Sequence, residues 1–449
     1  MDDLNALSPL DGRYHNKVAD LSKYFSESAL IKYRVKIEIE YFIALSIELK
    51  IKQLPEFSLK TKKVLRQIYE NFSLEDARCV KETEKTTNHD VKAVEYFIKE
   101  KIKKLKLKLN SEFVHFALTS EDINNLAFSL MWQEGLKMAY LPKLKQVVSI
   151  LNNFSKKYRS TPLLALTHGQ SATPTTLGKE IAVFVNRLYR QEKQLSSHKL
   201  LGKLNGATGT YSAQIISYPQ VNWPNFSKKF VNGLGLDLNS LTTQVENHDS
   251  LAESYHNLER VNNILLDFTR DVWLYVMRGV LGQIKKEGEV GSSTMPHKIN
   301  PINFENAEGN LGLANAYLTH LASKLPVSRL QRDLSDSTVL RNQGIPLGHS
   351  LLALENILNG LSRLTINENK INEELENNWE ILAEAVQIIM RREGVDKPYE
   401  KLKELTRGQK IIKTDLHKFI NKLDISKEAK KDLLKLTPQK YIGLANKLF

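Results

Sequence analysis

The hydrophobic positions along the chain repeat one pattern. From Leu141 to Tyr158, apolar residues fall at Leu141, Leu144, Val148, Leu151, Phe154 and Tyr158, spacings of three and four that put them on one face of a helix. Leu251, Tyr255, Leu258, Val261, Leu265, Phe268 and Val272 carry such a stripe over about six turns. Ala307, Leu311, Ala314, Leu318, Leu321 and Leu325 form a third. Strand-like alternation is missing beside them. Long amphipathic helices bury their stripes against one another, so the pattern predicts an all-α fold centred on a long helix bundle. Small residues in the third stripe, with Gly309 and Gly312 nearby, predict close approach by a neighbouring helix, including one from another subunit. The pattern breaks near Asn110, after a Lys-rich stretch, and near Asn367, in INENKINEEL. Three helical domains are therefore predicted: 1–110, a long central bundle 111–366, and a small C-terminal domain 367–449, in which KPYEKLKELTRG ends at the helix-stopping Gly408.

The longest interruption runs from Gln283 to Asn303 and contains GSSTMPHKINP. A connection of about twenty residues without helical period inside a compact domain points to function. Gly288 and Gly291 free the backbone while Pro296 and Pro301 stiffen it, which predicts a loop that closes as a unit over a ligand and carries Ser292 and Ser293. Four further stretches carry chemistry-bearing residues. THGQSATP sets His168 in a turn just before a helix beginning near Thr175, where imidazole can hand over a proton near neutrality. TTNHD places Asn88, His89 and Asp90 at a helix start, and HFALTSEDINN places Thr119 and Ser120 before an acidic first turn; both also read as helix capping. SRLQRDLSDSTVLR offers Arg332, Ser337, Thr338 and Arg341, the residue types that grip a phosphate.

Composition narrows the classes. The chain has 449 residues, 41% of them hydrophobic, enough for two or three cores. Its start, MDDLNALSPLDGRY, lacks the basic and apolar regions of a signal peptide, and no run is apolar enough to span a membrane, so a cytoplasmic protein is expected. The single Cys79 excludes a disulfide framework and a Cys-rich metal site. The formal net charge of +13 raises nucleic acid as a partner. Yet the densest basic run, Lys99 to Lys108, alternates lysine with aliphatic residues and gives no stacking platform, so no nucleic-acid partner is expected. The excess would still draw in phosphorylated metabolites.

Taken together, the five stretches and the N-terminal SPLDGRY resemble the adenylosuccinate lyases of bacterial type, a branch of the fumarase/aspartase superfamily. The resemblance covers nearly the whole chain. It implies an all-helical homotetramer whose central helices form the tetramer core, with each active site assembled from three subunits. The implied reaction eliminates fumarate from adenylosuccinate and from the succinylocarboxamide ribotide (SAICAR), without metal or organic cofactor. Matched residue by residue, Ser292 on the loop 283–303 is the implied base, His168 the acid, Glu305 the carboxylate that orients His168, and Lys298 the cation at the developing negative charge. Arg13, Tyr14, Arg332, Ser337, Thr338 and Arg341 are implied to hold the phosphate and its surroundings. Asn88, His89, Asp90 and Gln244 would contact the purine and succinyl parts. Thr119, Ser120, Ser293, Lys298 and Asn300, with Ile299 beside them, would bind the succinyl carboxylates, and Asn306 would lie near the ribose. Ser171 stands where the family often carries proline and predicts a looser turn. The rival readings are a sister lyase such as argininosuccinate lyase, which the phosphate-grade arginines argue against, and a non-catalytic structural or RNA-binding helical protein.

Overall fold

The structure is a computed structural model that describes residues 3–284, 288, 295, 298–406 and 411–449. Helix accounts for 66% of it, and the strands are only two or three residues long, so the all-α expectation holds. The helices that carry the site and the core are α1 (Glu27–Leu49), α2 (Leu74–Thr87), α3 (Asp90–Lys104), α4 (Ser120–Gly135), α5 (Leu141–Lys157), α6 (Leu177–Ser197), α7 (Asp249–Met277), α8 (Ile302–Lys324), α9 (Ser335–Leu340) and α10 (Gly344–Leu361). Four strands matter: β1 (Leu166–Thr167), β2 (Gln170–Ser171), β3 (Leu281–Gln283) and β4 (Leu364–Ile366). The helix expected to end at Gly408 runs Pro398–Thr406, and Gly408 lies outside the described residues. No described helix is long and apolar enough to cross a membrane.

The predicted stripes are the buried faces. Every member of the α7 stripe, from Leu251 to Val272, and of the α8 stripe, from Ala307 to Leu325, is buried. A fully buried side chain of this kind contributes roughly 1.5–3 kcal/mol, which is why the 3.6-residue period decides these segments. On α5 the stripe is buried through Leu151, while Phe154 and Tyr158 are half-buried. Gly309 and Gly312 have open space where a side chain would stand, so among the described residues no other helix closes on them.

The chain forms two compact units. The first comprises 1–144, 191–263 and 309–355; the second comprises 145–190, 264–308 and 356–449. In the first, Trp132 packs edge-on against Tyr255 with ring centroids 4.7 Å apart, and its Nε1 donates to Ser254 Oγ at 2.8 Å. In the second, Phe268 meets Phe184 and Phe304, at 5.4 and 6.3 Å between centroids. Gly360 is required there, since a Cβ would stand 2.6 Å from the Phe304 ring.

Candidate active site

In the first unit a cleft of about 520 Å3 gathers Asn88, His89, Asp90, Ser120, Gln244, Arg332, Ser337, Thr338 and Arg341, with Glu84, Asn124 and Leu334. Local turn chemistry builds its first wall. Asn88 ends α2 in the left-handed region, at φ 49, which asparagine tolerates better than most residues. His89 then caps α3, its Nδ1 accepting the Lys92 N–H at 3.1 Å. That bond assigns the ring hydrogen to Nε2, which faces Ser120 Oγ at 3.5 Å. Capping and lining are thus one arrangement. Thr119 is the N-cap of α4 and donates its backbone N–H to Asp122 Oδ2 at 3.0 Å, while its neighbour Ser120 reaches the cleft.

Charge is dense along this wall. Asp90 accepts from Arg34 at 2.7 Å and from Arg341 at 3.1 Å. Burial pushes the Asp90 carboxyl up, but Arg34, the Val91 amide and Arg341 outweigh it and hold the group below its ordinary value. Arg34 is 1% exposed and also donates to Asn124 Oδ1 at 2.9 Å. The other arm of Arg341 meets Glu27. Arg332 reaches Gln244 Oε1 at 3.3 Å and Glu121 Oε2 at 3.5 Å, and Gln244 donates to the Ala207 carbonyl at 2.9 Å. Arg13 and Tyr14 do not line the cleft; the Arg13 guanidinium sits 5.7 Å from the Tyr14 ring centroid.

Behind the cleft, sequence reasoning missed two groups. Asp122 and Lys203, both fully buried, pair at 2.9 Å. Lys203 Nζ also donates to the Gly206 and Gln244 carbonyls at 2.8 Å each, and Asp122 Oδ1 accepts the Asn205 and Gly206 amides at 3.1 and 3.3 Å. Glu121, His248 and Asp336 form the second group, with candidate ligand atoms all within 4.8 Å of one another. Neither group has a spacing signal. Arg34, a guanidinium among the apolar residues of α1 that must find a buried partner, finds it in Asp90 and Asn124 and belongs to neither group.

The second unit holds the rest. His168 and Gly169 form the two-residue turn of the β1–β2 hairpin, at φ 54 and 73, with Thr167 opposite Gln170 and Leu166 opposite Ser171. Positive φ at both central residues matches a tight primed turn, so the looser turn expected from Ser171 is corrected; its Oγ instead donates to Asn378 Oδ1 at 2.7 Å. The turn leaves His168 exposed. The signature segment leaves from β3, which pairs with β4, and re-enters helix at α8, where Pro301 O accepts the Phe304 and Glu305 amides. Lys298 and Ile299 are exposed, and the Lys298 amide donates to Met295 O at 3.1 Å. Asn300 is half-buried. Glu305, in the first turn of α8, accepts from Trp273 Nε1 at 3.1 Å, and Asn306 Oδ1 accepts from Asn356 at 2.8 Å. Gly291, Ser292, Ser293 and Pro296 lie outside the described residues.

Comparison with known proteins adds a second line of observation. A family model described as lyase matches residues 12–315, and one described as adenylosuccinate lyase C-terminal matches 328–442. The adenylosuccinate lyase of Haemophilus influenzae is 51% identical over 446 residues, 99% of this chain and 98% of that protein. The one from Escherichia coli K12 is 50% identical over 443 residues, 98% of this chain and 97% of its own. The one from Dictyostelium discoideum is also 50% identical, over 99% of this chain and 97% of its own. Among solved structures, a fumarate lyase from a Mesorhizobium species aligns with TM-score 0.74 at 18% identity, covering 95% of this chain and 96% of that one, which speaks to the fold.

Proposed function

The chain belongs to the adenylosuccinate lyase family, and from that premise we propose that it removes fumarate from adenylosuccinate to give AMP, and from the succinylocarboxamide ribotide (SAICAR) to give the carboxamide ribotide. It is a carbon–nitrogen lyase of purine biosynthesis acting on a small molecule. The observation that carries the assignment of the site is the convergence in one cleft of nine residues from four separated segments, each matched beforehand to the substrate. Purified protein mixed with adenylosuccinate should release AMP and fumarate in equal amounts; failure to do so overturns the reading.

In the proposed mechanism Ser292 takes the proton from the succinyl β-carbon, and negative charge spreads into the adjacent carboxylate. Lys298 faces that charge, and preorganised donors of this kind are worth on the order of 3 kcal/mol each. The electron pair then forms the carbon–carbon double bond as the C–N bond breaks. His168 protonates the departing nitrogen. A two-residue turn supports this role by presenting the imidazole on a rigid, exposed tip.

Arg332 and Arg341 hold the 5′-phosphate in this reading, with Ser337 and Thr338 between them. Both guanidiniums already meet carboxylates, so a phosphate competes for donors that stand in place. Arg332→Gln and Arg341→Gln are each expected to raise KM, at a cost of roughly 1.5–3 kcal/mol for a lost charge-assisted contact, with kcat little changed. Equal parent activity on dephosphorylated substrate would exclude a phosphate site.

We further infer a cytoplasmic homotetramer with shared sites. Support comes from α8, where a side chain at Gly309 or Gly312 would meet nothing among the described residues, while Leu313 is 53% and Tyr317 39% exposed beside them. Among the described residues Glu305 pairs with Trp273 and not with His168, which suits a site completed by another chain. Ser292→Ala and His168→Ala proteins, each inactive, should regain part of the activity when dissociated together and reassembled. Hybrids seen by native mass spectrometry that stay dead at every ratio would place both residues in one chain.

A further inference from the structure

Four buried polar atoms without hydrogen bonds among the described residues meet at one place behind the cleft: both ring nitrogens of His248, Oε1 of Glu121 and Oδ2 of Asp336. His248 is 2% exposed, Glu121 2% and Asp336 5%. The imidazole stands between carboxylates, with Nε2 4.0 Å from Asp336 and Nδ1 4.0 Å from Glu246. It is held there by its backbone. His248 adopts φ 61, its N–H donates to Glu246 Oε2 at 2.8 Å, and its carbonyl accepts the Ala252 amide at 2.9 Å in the first turn of α7. A residue with a bulky side chain leaves the ordinary region only when its surroundings compel it.

Each member of the cluster adjoins a cleft-lining residue. Glu121 follows Ser120 at the start of α4, Asp336 precedes Ser337 in α9, and His248 closes the irregular stretch that carries Gln244. We propose that His248 is a positioning residue for the reaction, holding from behind the three segments that present Ser120, Gln244 and Ser337 to the substrate. The inference rests on reading the cleft as the substrate site.

Its physical basis is the charge balance of the cluster. The charged groups facing His248 are Glu121 from α4, Glu246 from its own stretch and Asp336 from α9, with Arg332 and Lys203 acting on Glu121. Burial pulls the imidazole down, but the nearby carboxylates of Asp336, Glu121 and Glu246 outweigh it and raise His248 above its ordinary value. Burial also pushes the Glu121 carboxyl up to about 7. A proton in the cluster therefore offsets the surplus of buried carboxylates. A divalent metal fits less well. Arg332, 3.5 Å from Glu121, repels a dication, and His248 Nε2 and Asp336 Oδ2, 4.0 Å apart, stand wider than the edge of about 3.4 Å that zinc bonds of 2.0–2.1 Å impose.

The sign follows from the raised value: the tie is complete when His248 is charged and is lost as pH rises through its folded-state titration. KM for adenylosuccinate in the parent should therefore climb on the alkaline side. His248→Gln, in protein that melts like the parent, should raise KM roughly tenfold at neutral pH, leave kcat within about threefold, and abolish that climb. Asp336→Asn should act in the same direction, and the double variant should be no worse than the poorer single one, as coupled partners require. Arg341→Gln measured alongside separates the two readings. If it loses affinity while His248→Gln keeps the parent KM and pH profile, the positioning role is wrong; if neither loses affinity, the cleft is not the substrate site. A KM restored by zinc after chelator dialysis of the parent would replace the proton with a metal and overturn the proposal.

Discussion

Ser292→Ala is expected to lower kcat at least about a thousandfold while substrate binding stays measurable, because the group that removes the proton is lost and the cleft contacts remain. The demand on this side chain is large. A carbon-bound proton beside a carboxylate is weakly acidic, and serine is a weak base in water, so the alkoxide has to be favoured by nearby cations and oriented donors. Lys298, exposed and six residues on in the same segment, supplies such a cation in the proposed mechanism. Ser293→Ala should instead raise KM more than it lowers kcat, as a carboxylate contact would. Single-turnover measurements separate the two effects. If Ser293→Ala were the dead variant and Ser292→Ala nearly normal, the roles of the two serines would be exchanged.

The parts of this chain that could be read in advance are those whose cause is local. The stripe from Leu251 to Val272 was legible because burial on one side of a helix imposes a period, and all seven residues are buried. In TTNHD, Asn88 takes the left-handed turn and His89 the cap, both from side-chain chemistry within a few residues. Helix α1 was not legible in the same way. It is buried on most sides, Arg34 and Glu38 included, so its half-buried polar file of Lys32, Lys36, Glu40 and Glu48 is blurred by charges that lie inside. The partners of the cleft residues were also hidden. The cleft's Asp90 meets Arg34 from 56 positions away, and away from the cleft Tyr33 on the same helix donates to Glu134 from 101. Such pairs are set by packing, which assembles each compact unit from three separate stretches of chain. Spacing along the sequence carries no trace of them.

Lys203→Met is expected to destabilise the first unit by about 3–5 kcal/mol, the cost of leaving a buried charge without its partner. The ion pair alone would not guarantee so large an effect, since replacing a buried pair by apolar residues of similar volume is often neutral. Here the two side chains also serve the backbone. Lys203 Nζ donates to the carbonyls of Gly206 and Gln244, and Asp122 accepts the amides of Thr119, Asn205 and Gly206. Removing both side chains leaves those five buried or half-buried groups without their partners, so the double variant Asp122→Leu/Lys203→Met should remain as unstable as the single one. Hydrogen exchange of the Asn205 and Gly206 amides gives the local reading, and protection should fall in both proteins. The consequence reaches the cleft, because the Gln244 carbonyl is one of the stranded groups and its side chain lines the wall beside Arg332. KM should rise together with the loss of protection. A double variant that recovers parent protection would show that the pair, and not the backbone it anchors, sets the stability of this wall.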